Sequence, residues 1–235
     1  MNIVKIIIYF FYMIYMSLKS IKLWIVKKTK GEKAGVDYCG KVAKDWSRFT
    51  VKIIGLNITI KGKENIPKEP CCYMGNHTSI LDIPVLIDSV DKCMGFIAKK
   101  EMINAPFLGF WINRYKCVPL DRENAREAIK SIKKGSDNIK EGYSMAIFPE
   151  GTRSQDGKLK DFKKGSLKLA TMAKAPIVPV TIDGAYRAFE KGKKFRAIDL
   201  TITFSEPFYT ENLNREEEKA LMEKVRAVIA KNLGQ

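Results

Sequence analysis

One stretch, Gly75-Asn76-His77-Thr78-Ser79-Ile80-Leu81-Asp82, holds the only histidine among the 235 residues, with a carboxylate five positions later. Histidine is the side chain whose unperturbed pKa lies nearest neutrality, so a general base working at pH 7 is sought first at His77. Asp82 can hold one ring nitrogen, fix the tautomer and leave the other nitrogen to accept a proton. A single histidine is also compatible with a structural role, and its surroundings decide between the two. No serine or cysteine completes a triad. Cys72, five residues before His77, falls in an apolar run, where a thiol is a poor nucleophile. A His and Asp pair without a protein nucleophile suits direct activation of a substrate hydroxyl.

A second stretch, Phe148-Pro149-Glu150-Gly151-Thr152-Arg153-Ser154, has the make-up of an anion-binding turn. Gly151 allows close backbone approach, and Arg153 offers a planar fork matched to phosphate oxygens. Arg122, on the loop after a neighbouring run, can clamp the same group. Taken alone, either arginine reads more readily as a surface ion pair.

These residues need a frame that brings them together, and the hydrophobic pattern supplies one. Apolar runs at 71–74, 94–98, 116–120, 144–148, 177–182 and 200–204 alternate with helical patterns, notably at 125–139 and 165–174. That alternation predicts an α/β fold with a largely parallel sheet flanked by helices. Ligands in such sheets bind beyond the carboxyl ends of the strands. There the first run leads into Asn76-His77, the third into Asp121-Arg122 and the fourth into Pro149 to Ser154. His77 is expected in a turn entering a helix, with Asp82 about one helical turn beyond. Asn214 with Glu217 three residues later predicts a capped closing helix, Leu221, Val225, Val228 and Ile229 forming its apolar stripe. Residues 57–235 contain no repeat or break in composition and read as one α/β domain.

Residues 1–56 differ in character. Thirteen uncharged residues, 6–18, separate Lys5 from Lys19, fewer than the ~20 that cross a bilayer comfortably. On a helical wheel Lys5, Tyr9, Tyr12, Tyr15, Lys19 and Lys22 share one side. Ile3, Ile7, Phe10, Phe11, Ile14, Leu18, Ile21 and Ile25 fill the other, with Ile8 and Met16 out of pattern. This describes an amphipathic helix lying in the lipid interface, with Lys27, Lys28, Lys30 and Lys33 facing anionic headgroups. A tilted spanning helix over 3–26 is the alternative, and packing on the protein itself is the structural one. Val36, Cys39, Val42, Trp46, Phe49 and Ile53 predict a second helix able to pair with the first as a two-helix membrane anchor.

The net charge of +16 points to an anionic partner. Residues 1–33 carry seven lysines against Glu32, and residues 155–200 carry eleven basic against five acidic side chains. No nucleic-acid motif accompanies that charge and the aromatic residues gather in the anchor, so a basic membrane- or nucleic-acid-binding protein is the weaker reading and no nucleic acid is expected. Five cysteines without CxxC spacing argue against a disulfide framework or a thiolate metal site. With one histidine, no metal site is expected unless carboxylates do most of the ligation.

Asn76-His77-Thr78-Ser79-Ile80-Leu81-Asp82 resembles the histidine, four residues, aspartate signature of the glycerolipid acyltransferases, and Phe148 to Ser154 resembles their glutamate-glycine-threonine-arginine block. Val118-Pro119-Leu120-Asp121-Arg122 and Ala175-Pro176-Ile177-Val178-Pro179-Val180 match two further blocks in order and position. Size and anchor are similar to the bacterial enzymes that acylate 1-acylglycerol 3-phosphate. The resemblance implies that His77 is the general base on a glycerol hydroxyl and Asp82 its support. It implies a phosphate and substrate site from Glu150, Gly151, Thr152 and Arg153, with Arg122 assisting and Lys99 or Lys100 as a further phosphate ligand. It implies no cofactor; acyl-CoA or acyl-ACP serves as co-substrate, and the alternative acceptors are another lysophospholipid or glycerol 3-phosphate. The oxyanion donor is expected among backbone amides of the histidine turn or the 148–154 loop. Expected partners are a membrane lipid substrate, an anionic membrane surface and acyl carrier protein, the last received by the basic region from Lys158 to Arg196. The expected location is the cytoplasmic face of the cell membrane, held through the N-terminal helices.

Overall fold

A strand covered on both faces has no reason to alternate, and Cys72-Tyr73-Met74 is apolar without a break. It forms β2 (Cys72–Gly75), which the computed structural model places in the middle of a seven-stranded sheet. The structure describes residues 2–154 and 156–235. The other strands are β1 (Leu56–Lys61), β3 (Met94–Lys99), β4 (Val118–Leu120), β5 (Ser144–Ile147), β6 (Ile177–Asp183) and β7 (Ile198–Phe204), in the order β1-β7-β6-β2-β5-β3-β4. Every neighbouring pair is parallel except β6 with β7. The chain is therefore α/β with a largely parallel sheet.

The two-residue period of a strand divides the core. Tyr73 points into one apolar cluster with Phe96, Val178 and Val180, joined by Val51 and Ile54 of helix α1 (Ile3–Ile54) and Val85 and Leu86 of α2 (Asp82–Ser89). Cys72 and Met74 point into the other, with Ile132 of α4 (Ala125–Lys140) and Leu221, Val225 and Ile229 of α5 (Arg215–Leu233). The closing helix carries the expected capping box between Asn214 and Glu217. The expected helix over 165–174 is instead a 3₁₀ turn, Lys164–Leu167, and the single α-turn Lys168–Thr171; Lys174 then takes positive φ (52°) and cannot extend a helix. The strand expected from residue 116 begins two residues later, because Lys116 also has positive φ (54°). The last strand begins at Ile198, earlier than expected.

The N-terminal segment is a hairpin. Gly31 (φ 84°, ψ 176°) breaks α1 into an outer arm, 3–30, and an inner arm, 32–54. The side of the outer arm read as solvated packs on the inner arm. Tyr9 shares a hydrogen bond with Thr50 and accepts one from Trp46, Tyr12 donates to the Asp45 carbonyl, and Lys19 lies 2.7 Å from the Asp45 carboxylate. Tyrosine and lysine carry apolar bodies with polar tips, so such a face can pack when partners are available. Met16, out of pattern in the solvated reading, is 2% exposed in the seam. Ile3, Ile7, Phe10, Phe11, Leu18, Ile21 and Ile25 are all exposed. Among the described residues, α1 is long and apolar enough to cross a membrane by length and composition.

The inner arm is tied to the end of α2. Lys44 Nζ donates to the carbonyls of Ile87, Asp88 and Val90 at 3.3, 2.6 and 2.7 Å, satisfying orphan acceptors at the end of α2. Burial pushes its pKa down, the usual consequence of withdrawing an amine from water.

Candidate active site

β2 ends at Gly75, and Asn76 pins the chain leaving it. Its side chain donates to the Ile182 carbonyl (2.9 Å) and accepts from the Ile182 N–H (2.8 Å), so a buried amide imitates one more rung with β6. His77 follows at once. Asp82 does not lie a helical turn farther on; it is the first residue of α2. Pro84 explains this, since its ring would clash with the carbonyl of Ile80 if the helix began earlier. Residues 77–81 therefore form a tight turn folded over the Asp82 carboxylate.

Oδ2 of Asp82 accepts from the N–H of Thr78 (2.7 Å) and of Ser79 (2.8 Å) and lies 2.8 Å from Nδ1 of His77. An oxygen already accepting two amide protons is an acceptor for the ring as well, so Nδ1 carries the proton and Nε2 presents its lone pair. The imidazole, 15% exposed, stacks on Phe148 with centroids 4.3 Å apart and planes inclined by 14°. Aspartate, helix start and aromatic ring together leave the imidazole little rotational freedom.

The 148–154 loop grips the histidine backbone from the adjacent strand. Oε1 of Glu150 accepts the His77 N–H (2.7 Å), and the Ser154 N–H donates to the His77 carbonyl (2.8 Å). Oε2 of Glu150 accepts from the N–H of Lys160 (3.2 Å). Burial raises the Glu150 pKa, while the His77 and Lys160 amides oppose that shift. At 3% exposure with both oxygens engaged, this carboxylate holds the His77 and Lys160 backbone. Gly151 turns the loop with φ +73°, a conformation that a side chain would strain. Thr152 is exposed.

Arg153 is half-buried and paired. Its Nη1 lies 2.6 Å from Oε1 of Glu190, which also receives the Ile80 N–H (3.1 Å); Oε2 receives Lys193 Nζ (2.9 Å). Burial works to raise the Glu190 pKa, but these donors outweigh it and hold the carboxyl below its ordinary range. Glu190 thereby links the arginine to the histidine turn. It escapes sequence reasoning because it sits 113 positions from His77 in a lysine-rich segment that reads as solvated surface. Phe148 was visible in its run, but no residue spacing announces ring stacking between strands.

The expected sources of an oxyanion donor separate clearly. In the histidine turn the N–H groups of His77, Thr78, Ser79, Ile80 and Leu81 are all engaged, by Glu150, Asp82, Asp82, Glu190 and the Ser79 hydroxyl. That turn has none to offer. In the other loop, Gly151 and Ser154 donate to Phe148 and His77, whereas no hydrogen bond from the Thr152 or Arg153 amide is found among the described residues.

Lys99, Lys100 and Arg122 stand apart along the same edge. β3 and β4 lie two and three strands from β2, roughly 10 and 14 Å away at the usual spacing. Lys99 lies 3.4 Å from Glu101 and Lys100 2.8 Å from Asp121, while Arg122 is exposed. His77, Asp82, Glu150, Gly151 and Arg153 are thus brought together, and these three cations flank them. Cys72 has no place in the chemistry, since complete burial pushes its thiol pKa well above the ordinary value.

An apolar cavity of about 120 Å³ opens beside the site, where the hairpin meets the sheet. Met16 and Trp46 line it from the two arms, Ile83 and Ile87 from α2, Phe96 from β3 and Trp111 from α3 (Leu108–Ile112). Ile83, which lines the cavity, directly follows Asp82 in α2.

Residues 57–183 match the acyltransferase family model. A chloroplast 1-acyl-sn-glycerol-3-phosphate acyltransferase of Brassica napus is 33% identical over 172 residues, covering 72% of this chain and 49% of the relative. The Saccharomyces cerevisiae protein of the same name is 34% identical over 184 residues, covering 74% and 59%. The chain spans about half the length of the first of these relatives and less than two thirds of the second. The crystal structure of the 1-acyl-sn-glycerophosphate acyltransferase PlsC from Thermotoga maritima superposes with a TM-score of 0.82 at 27% identity, covering 97% of this chain and 92% of that one.

Proposed function

This chain belongs to the acyltransferase family, and from that premise we propose that it moves a fatty acyl group from an acyl thioester to the free glycerol hydroxyl of 1-acylglycerol 3-phosphate, giving phosphatidic acid. The relatives carry that activity in their names. The observation that bears most weight is the 2.8 Å contact between His77 Nδ1 and Asp82, which leaves Nε2 open as a base.

In the proposed reaction Nε2 takes the hydroxyl proton as the acceptor oxygen attacks the thioester carbonyl carbon. The tetrahedral intermediate collapses, the carbon–sulfur bond breaks, and the thiolate of coenzyme A or acyl carrier protein leaves with the proton that the imidazolium returns. No acyl-enzyme forms. An acyl chain lies in the apolar cavity beside Ile83, and the glycerol phosphate lies along the cationic edge.

The outer arm seats the enzyme in the membrane interface, its exposed isoleucines, phenylalanines and leucine among the lipid chains, on the cytoplasmic face. Deleting this arm would strip Met13, Met16 and Leu23 from the seam, so the cleaner test keeps the fold. Phe11→Glu, Leu18→Glu and Ile21→Glu combined should abolish flotation with anionic liposomes and leave thermal unfolding unchanged; undiminished flotation defeats the anchor. For the reaction, purified protein is given acyl thioesters with 1-acylglycerol 3-phosphate, a lysophospholipid of larger headgroup, or glycerol 3-phosphate. Mass spectrometry should find phosphatidic acid from the first. Product from another acceptor alone reassigns the substrate, and product from none removes the activity.

A further inference from the structure

The cation best placed to meet a phosphate at the 148–154 turn is one that the sequence motifs pass over. Arg153 is already neutralised by Glu190, 2.6 Å away, and Lys193 is drawn to the same carboxylate at 2.9 Å. Lys160 turns its amine onto the Arg153 carbonyl at 3.0 Å. Lys163 differs from all three. Its backbone N–H donates to Pro149 (3.0 Å), fixing it to the loop that carries Phe148. Its side chain then runs across the bare face of Gly151. A Cβ built there would stand 2.9 Å from Lys163 Cε and 3.1 Å from Nζ, so the absence of a side chain at 151 is what lets the amine lie on the turn.

No acid takes up that charge. Both oxygens of Glu150, the one carboxylate within the loop, accept backbone amides of His77 and Lys160. Among the described residues Lys163 makes no ion pair or side-chain hydrogen bond. An exposed ammonium held over a glycine turn, one loop from the general base and with no counter-ion, is a receptor for an anion. We propose that Lys163 binds the phosphate of the acceptor at the Gly151 turn; the assignment rests on the function proposed above. The glycine and the lysine act as a pair, one clearing the surface on which the other lies.

The test compares Lys163→Gln, which keeps the stem over Gly151, with Lys163→Arg and with Lys134→Gln, an exposed charge change on α4. A lost charge-assisted hydrogen bond corresponds to about tenfold or more in affinity. Lys163→Gln should raise KM for 1-acylglycerol 3-phosphate by about that factor, with kcat within about twofold, and should weaken competitive inhibition by inorganic phosphate in parallel. Lys163→Arg should restore most of the loss, and Lys134→Gln should match the wild type. An unchanged KM and phosphate inhibition in Lys163→Gln, or a loss in kcat alone, overturns the assignment. Binding of inorganic phosphate, followed by phosphorus NMR line broadening without turnover, separates the two claims. A wild type that binds phosphate through Lys163 but transfers no acyl group keeps the site and loses the reaction.

Discussion

Replacing His77 with alanine is expected to lower acyl transfer by about 10²- to 10⁴-fold, the range a positioned general base contributes. The protein should remain folded and bound to lipid. Asp82 would keep the Thr78 and Ser79 amides on Oδ2 after the imidazole is gone, so its buried charge is not abandoned. Asn76, Glu150 and Ser154 hold the backbone at this position by bonds that do not involve the ring. Phe148 would lose its stacking partner, and a modest fall in unfolding temperature follows. The measurement is kcat on liposome-bound protein, with flotation and thermal unfolding as controls. Near-normal turnover would remove the general-base role altogether, since the remaining candidate, the Cys72 thiol, is fully buried.

What could be read in the sequence was local, and what could not was formed across strands. His77 and Asp82 are five residues apart, and a short-range pattern suffices to pair them. The helix start at Asp82 is also legible through Pro84, whose ring would clash with the Ile80 carbonyl in a longer helix. The hydrogen bonds of Glu150 to the His77 and Lys160 amides were hidden because they exist only once β5 lies next to β2. Lys163 and Glu190 lay in a lysine-rich stretch, where charge density conceals which groups are already neutralised. The outer arm shows the same limit differently. Its apolar stripe was legible from the helical period, but its tyrosine side found partners on an inner arm whose approach depends on the single backbone break at Gly31.

That arm also gives the fold a physical connection between lipid and chemistry. The inner arm contributes Val51 and Ile54 to the core and caps α2 through Lys44, while the other end of α2 begins with Asp82. One short helix therefore joins the hairpin to the carboxylate that contacts the His77 ring. The apolar cavity has walls from both arms and from this same helix.

Asp82→Asn should cost about as much activity as losing the base, roughly 10³- to 10⁴-fold by analogy with histidine bases deprived of their aspartate. The present contacts explain why an isosteric amide cannot substitute. If the amide oxygen takes the place of Oδ2, it still accepts from Nδ1 of His77 and from two backbone amides. The NH₂ group then occupies the place of Oδ1, a fully buried atom with no hydrogen-bond partner among the described residues, and becomes an unsatisfied donor. If the amide flips, NH₂ confronts three donors, and the imidazole must reverse its tautomer and surrender the lone pair at Nε2. Either arrangement also removes the negative charge that stabilises the imidazolium formed during proton transfer. An unsatisfied buried group adds a stability loss of about 1–3 kcal/mol. The decisive comparison is the double variant Asp82→Asn with His77→Ala, whose kcat should fall no lower than that of His77→Ala alone, because residues that act as a unit are not additive. A multiplicative loss would mean that Asp82 acts on the reaction by a route other than the histidine.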